Sequence, residues 1–269
     1  MTLKDLLLED FKESYKEKDF KNLKDLSEDE LSNYFVNNGK FSKFKADFEQ
    51  CLNIQVCFLI DITGSMVSHQ KFTNKIIGLI IDTLFEFMNH KSKKRYAFIG
   101  YRERDEENVH HDFTDDLKKI RDLIAKVDLE GGGDESEDVE NAFKLFLDDI
   151  TFEQGGTRIL VHIADAPCHG PNYTDLKDEH PDWSNNIPRY LKKMACSLNC
   201  AYWFVKLSDD TDKMINKFNE ILIKEAPKSE FNQIEVLNLK DLKEDVVKDI
   251  LNNQLFKTTI SSTVIANDR

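Results

Sequence analysis

The sequence predicts an α/β protein, a Rossmann-like open and mostly parallel sheet with helices on both faces. Apolar runs rich in β-branched residues recur at Ile54-Gln55-Val56-Cys57-Phe58-Leu59-Ile60 and at Ile159-Leu160-Val161-His162-Ile163-Ala164, as expected of central parallel strands buried on both faces. Segments with apolar residues at helical spacing separate such runs, so strand and helix alternate along the chain. The 269 residues suffice to bury one large core without disulfides.

The elements follow in order. Residues 1 to about 50 are strongly charged, with Leu3, Leu6, Leu7, Phe11, Leu23, Leu26, Leu31, Tyr34 and Phe35 at helical spacing. They read as an N-terminal helical extension, in which Ser27 and Glu30 have the form of a capping box. The main domain is expected over 51–257. Its first strand ends at Asp61, and a helix follows from about His69 to Met88. Strands are expected at Arg95 to Tyr101 and, on an edge, at Val109 to Phe113. Helices are expected at Leu117 to Val127 and Ser136 to Leu147. The strand Arg158 to Ala164 precedes a loop with several prolines and a helix over Ile187 to Ser197. Cys200 to Leu207 is a strand, Asp212 to Lys224 a helix, Glu230 to Leu239 a strand and Leu242 to Leu255 a last helix. Residues 258–269 read as a polar C-terminal tail.

A formal charge of −13 argues against nucleic acid as a partner, because its phosphates would be repelled. The five cysteines are an odd number, and Cys57 falls inside a strand, which suits a reducing compartment. The N-terminus lacks the apolar core of a signal peptide. No stretch of about 20 apolar residues is present to span a membrane. A cytoplasmic location is the expectation; oligomeric state is not legible.

Ligands of an open parallel sheet bind beyond the carboxyl ends of its strands, where strand order reverses. Three loops should meet there: Asp61-Ile62-Thr63-Gly64-Ser65, Gly131-Gly132-Gly133-Asp134, and the strand end at Asp165. Alternate residues of an extended loop point the same way, so Asp61, Thr63 and Ser65 can converge. Asp134 and Asp165 would join them directly or through water. Carboxylate and hydroxyl oxygens make a hard site, suited to Mg²⁺ and also to Mn²⁺ or Ca²⁺. With few direct carboxylates such an ion can accept a carboxylate from a partner protein.

The run Val56 to Met66, read as Val-Cys-Phe-Leu-Ile-Asp-Ile-Thr-Gly-Ser-Met, resembles the opening strand and metal loop of von Willebrand factor type A (VWA) domains. Thr63 stands at the first serine of their Asp-x-Ser-x-Ser motif. Tyr101-Arg102, the Gly131 to Asp134 loop with Glu137-Asp138, and Ile163 to Gly170 extend the resemblance to the subtype found beside alpha-kinase catalytic domains. It covers about residues 54 to 240. It implies a metal-ion-dependent adhesion site built on Asp61, Thr63, Ser65 and Asp165, and a protein-binding rather than enzymatic role. The wider family has a threonine where this chain offers Asp134; Ser136 is a substitute ligand or a helix cap. The segment after the last helix is too short for a kinase domain.

Two alternatives stand beside this reading. One is a metal-free scaffold of the same fold. The other is a haloacid-dehalogenase-like phosphotransferase with Asp61 as nucleophile, although Asp165 is followed by Ala166 and Pro167 rather than by a second acid. His162 is expected to be packed or on the surface, and Cys168 with His169 to shape a loop rather than to act as a nucleophilic pair.

Overall fold

Successive side chains of a strand point to opposite faces, and β1 (Ile54–Asp61) is buried along its whole length, so it serves two cores at once. The computed structural model describes residues 50–87 and 93–267, all within a compact unit spanning Phe48–Arg269. Apart from Gln50, the extension expected over 1–50 lies outside the described residues, as does Met88.

After β1 come a 3₁₀ turn (Gly64–Ser68), α1 (Gln70–Glu86), β2 (Lys94–Tyr101), β3 (Val109–Thr114), α2 (Leu117–Lys126) and α3 (Val139–Asp148). β4 (Thr157–Ala164), α4 (Ile187–Lys192), β5 (Cys200–Lys206), α5 (Asp212–Glu225), β6 (Ile234–Leu237) and α6 (Glu244–Asn267) complete the chain. The strands form one sheet in the order β3-β2-β1-β4-β5-β6. All pairings are parallel except that of the edge strand β3 with β2. The order reverses between β1 and β4, which places the expected crevice at the ends of those two strands.

Ile54, Val56, Phe58 and Ile60 face a core closed by α1, α2 and α6. Cys57 and Leu59 face the other core, closed by α3, α4 and α5, where Phe143, Phe146 and Phe218 are fully buried. His162 lies in this second core between two tyrosines. Its Nε2 is 2.8 Å from the Tyr101 hydroxyl and its Nδ1 2.6 Å from that of Tyr202. Burial pushes its pKa down to about 3, so the ring is neutral. One ring nitrogen donates and the other accepts, which requires one tyrosine to accept and the other to donate.

Three elements differ from expectation. α3 starts at Val139 rather than Ser136, because Asp138 is the cap and accepts from the Asn141 amide at 3.1 Å. The last strand is only Ile234–Leu237, since Ser229 turns the chain before it by accepting from the Phe231 amide. The polar segment after 257 continues α6 through Asn267. Thr258, Thr259, Ser262 and Thr263 are buried there, each hydroxyl donating to the carbonyl four residues back. Trp203 Nε1 on β5 donates to the Thr258 hydroxyl at 3.3 Å. A polar composition thus lies against the core because the helix satisfies its own hydroxyls.

Replacing Tyr202 by Phe is expected to leave one nitrogen of His162 without a partner and to lower stability by about 1–3 kcal/mol. Urea unfolding with an unchanged m-value would check this; no change in midpoint would mean that water replaces the hydroxyl.

Candidate metal centre

Asp61 is the last residue of β1 and is fully buried. Its backbone register is set by β2, since it pairs with Tyr101 and the next amide, Ile62, donates to the Tyr101 carbonyl at 3.0 Å. One carboxylate oxygen, Oδ1, accepts from the Thr63 amide at 2.9 Å and from the Thr63 hydroxyl at 2.6 Å. The Thr63 and Ser65 hydroxyls are 3.3 Å apart, and Ser65 donates to Asp165 Oδ1 at 2.9 Å, across 100 residues. Asp61, Thr63, Ser65 and Asp165 therefore form one hydrogen-bonded chain at the ends of β1 and β4. It runs from the buried Asp61 through the exposed Ser65 to the partly buried Asp165.

The glycine loop leans on this chain. Gly64 donates to the Gly131 carbonyl at 3.1 Å, and Glu130 to the Ile62 carbonyl at 3.2 Å. Gly131 and Gly132 have φ of 83° and 84°, where a side chain is strained, and a Cβ on Gly131 would lie 2.2 Å from the Glu106 carboxylate. Arg102 fixes the same loop from below. Its guanidinium donates to the carbonyls of Glu107, Asp128 and Glu130 at 2.8, 2.6 and 2.9 Å. Arg104 holds Asp138 through two nitrogens, at 2.8 and 3.1 Å, and lies over the Trp183 ring.

Asp134 is placed differently from the other expected ligands. Oδ1 accepts from the Ser136 amide at 2.9 Å and Oδ2 from the Glu179 amide. Its carboxylate groups with Glu103 and His169, with a ligand atom of each within 4.8 Å of the others. Ser136 is buried, and its hydroxyl has no hydrogen-bond partner among the described residues.

Two acids not assigned as metal ligands from sequence enter the site. Glu137 is 3% exposed and Glu103 is 4% exposed, a degree of burial that carboxylates reach only with compensation. The Glu137 amide donates to the Pro167 carbonyl at 2.9 Å, which draws it beside the β4 loop. Asp61 Oδ2, Glu137 Oε2 and Glu103 Oε1 are buried and have no hydrogen-bond partner among the described residues. Burial pushes the Asp61 carboxyl up to about 7, against the two hydrogen bonds from Thr63, with Asp165 and Glu103 adding to the rise. Burial also raises Glu137, helped by the charges of Asp61 and Glu103. The unpartnered oxygens of Asp61 and Glu137 on either side of the Thr63 hydroxyl fit a hard divalent cation. Sequence spacing does not reveal Glu137 and Glu103, because each reaches the site from a different loop; the signal present was Glu137 three residues after Asp134.

The other constellations resolve simply. Cys168 is buried, its thiol pushed up in pKa first by burial, and its amide donates to Met214 Sδ. His169 contacts Glu103 and Asp178.

No protein-family model matches the chain. Over 174 residues it is 26% identical to the alpha-protein kinase vwkA of Dictyostelium discoideum, an alignment covering 62% of this chain and 27% of that protein. Solved structures with a similar arrangement include the pilus adhesin SpaC of Lactobacillus rhamnosus GG, with a TM-score of 0.48 and 12% identity over 77% of this chain and 30% of that one. Another is BatB of Bacteroides thetaiotaomicron, with 0.49 and 12% over 77% and 98%. A third is proximal thread matrix protein 1 of the mussel byssus with a zinc-occupied MIDAS motif, with 0.47 and 10% over 76% and 46%.

Metal-free protein should lose stability as pH rises. The folded Asp61 carboxyl titrates near 7, above the ordinary value of about 4. Its favourable contribution is thus complete below about 4 and lost as pH rises through about 7. In EDTA-treated protein the urea midpoint should fall across that window, with a smaller slope in Asp61→Asn; equal slopes would contradict the shift.

The strand order 3-2-1-4-5-6, the Asp-x-Thr-x-Ser loop on the first strand and the hydrogen bond from that loop to Asp165 are consistent with a Rossmann-like fold of the von Willebrand factor type A kind.

Proposed function

We propose that this chain is a metal-dependent protein-binding domain, in which Asp61, Thr63, Ser65 and Asp165 hold Mg²⁺ at the carboxyl edge of the sheet. The observation that carries the reading is the buried Oδ2 of Asp61, unpartnered among the described residues, at one end of a hydrogen-bonded chain that passes through the exposed Ser65 to Asp165. An isolated carboxylate in that position is strongly unfavourable, and a hard cation relieves the repulsion among Asp61, Glu137 and Asp165. Mn²⁺ and Ca²⁺ suit the same oxygens. Such an ion would supply a coordination position to a carboxylate from a protein ligand.

The chain's own residues shape what can approach. Val67, 57% exposed beside the loop, gives the rim an apolar contact. His69 Nε2 stands 3.6 Å from Asp165 Oδ2 and limits the site on that side. A nucleophilic role for Asp61 is poorly supported: Oδ1 is occupied by Thr63, and Oδ2 has no lysine partner among the described residues. No helix among the described residues is long and apolar enough to cross a membrane. We take the setting to be cytoplasmic, in line with the reduced cysteines expected there.

Calorimetric titration of Mg²⁺ and Mn²⁺ into EDTA-treated protein, with Asp61→Ala alongside, tests the assignment. Saturable binding by the wild type and its loss in the variant are expected. Protein ligands captured from extract should be released by EDTA. Equal affinity of the two proteins would sink the site, and no binding to either would leave a metal-free scaffold.

A further inference from the structure

The group formed by Glu103, Asp134 and His169 lies outside the hydrogen-bonded chain of Asp61, Thr63, Ser65 and Asp165. His169 is fully buried. Its Nδ1 is 2.9 Å from Asp178 Oδ1, and its Nε2 is 3.1 Å from Glu103 Oε2. Asp178 is a fixed acceptor: its carboxylate takes the Gly170 amide at 2.6 Å and the His180 amide at 2.8 Å. Those bonds outweigh its partial burial and hold its pKa low. The Asp178 carboxylate accepts the Nδ1 proton and sets the ring so that Nε2 faces Glu103. Carboxylate–imidazole pairs of this kind orient metal-bound histidines. The Trp183 ring lies edge-on to His169, with centroids 5.1 Å apart, and fixes the remaining rotation.

Glu103 contributes a second, independent observation. It is 4% exposed, yet its Oε1 has no partner, while Oε2 faces His169. Asp134 is held by two backbone amides, one on each oxygen, which fix its direction. Each oxygen keeps a further lone pair for a ligand. The buried hydroxyl of Ser136, adjacent to this turn, is also without a partner.

We infer that Glu103, Asp134 and His169 form a second divalent-cation site, distinct in chemistry from the loop of Asp61. One imidazole nitrogen with two carboxylate oxygens is a borderline donor set, which favours Zn²⁺ over Mg²⁺. Three protein ligands leave a position for water or for a group of the partner. Zinc takes the place of the Nε2 proton, which passes to water.

The test uses the full chain, treated with EDTA and labelled with ¹⁵N in histidine. On addition of Zn²⁺ at neutral pH, the Nε2 resonance of His169, assigned through His169→Gln, should move to a metal-bound position and saturate. Mg²⁺ should leave it in place. Asp134→Asn, at a partly exposed residue, should abolish the shift without loss of the folded spectrum. Asp178→Asn should weaken zinc by about 10–100-fold, as expected when the orienting carboxylate is removed. A His169 that keeps both ring protons and ignores Zn²⁺ would overturn the inference, as would an unchanged zinc affinity in Asp134→Asn. The loop of Asp61 is judged separately, by Mg²⁺ binding, so either assignment can fail alone.

Discussion

Asp61, Glu137 and Glu103 are carboxylates almost withdrawn from solvent at one edge of the sheet, and the surrounding loops are arranged around that concentration of negative charge. Ionised carboxyls in a poorly polarisable environment are costly unless they are paired, protonated or bound to a cation. The protein meets part of this cost with dipoles: the Thr63 amide and hydroxyl are aimed at Asp61. It leaves part unmet, in oxygens with no partner. A fold that needed only stability would have replaced these acids by apolar residues. Their presence, around hydroxyls of matching hardness, is what points to a cation.

The two arginines beside the centre do not neutralise it directly. Arg102 donates to three backbone carbonyls of neighbouring loops, and Arg104 is committed to Asp138, with Glu140 at 3.8 Å. Both arginines act as struts that hold the Gly131 loop and the start of α3 in place. Asp138 is thereby both cap and anchor, since it also accepts from the Asn141 amide. The loops are rigidly supported from the sides while the negative charge between them is left available.

Much of this was legible in the sequence for a physical reason. Strands buried on both faces must be apolar throughout, so β1 and β4 announce themselves, and the residues just after them fall on one edge of the sheet. Asp61, Thr63, Ser65 and Asp165 follow from that geometry, and the structure joins them by hydrogen bonds. Glu137 and Glu103 were hidden because their burial is a tertiary property; in sequence they look like solvated acids among many. Asp134 was legible as a loop acid, but its direction is set by the Ser136 and Glu179 amides, the second of which is 45 residues away. The extent of α6 was hidden by composition, because buried threonines that bond to their own helix are indistinguishable from exposed ones in a sequence.

The Ser65–Asp165 hydrogen bond closes a loop of 100 residues. The Asp61–Thr63 contacts, by comparison, span only 2 residues. The site thus has a local half that can form with a single turn and a distant half that requires the β4 crossover. Closing so long a loop is entropically demanding, and parallel pairing at such separation belongs to the slow part of folding. A ligand that needs both halves at once discriminates against chains in which β1 has met β2 but not yet β4.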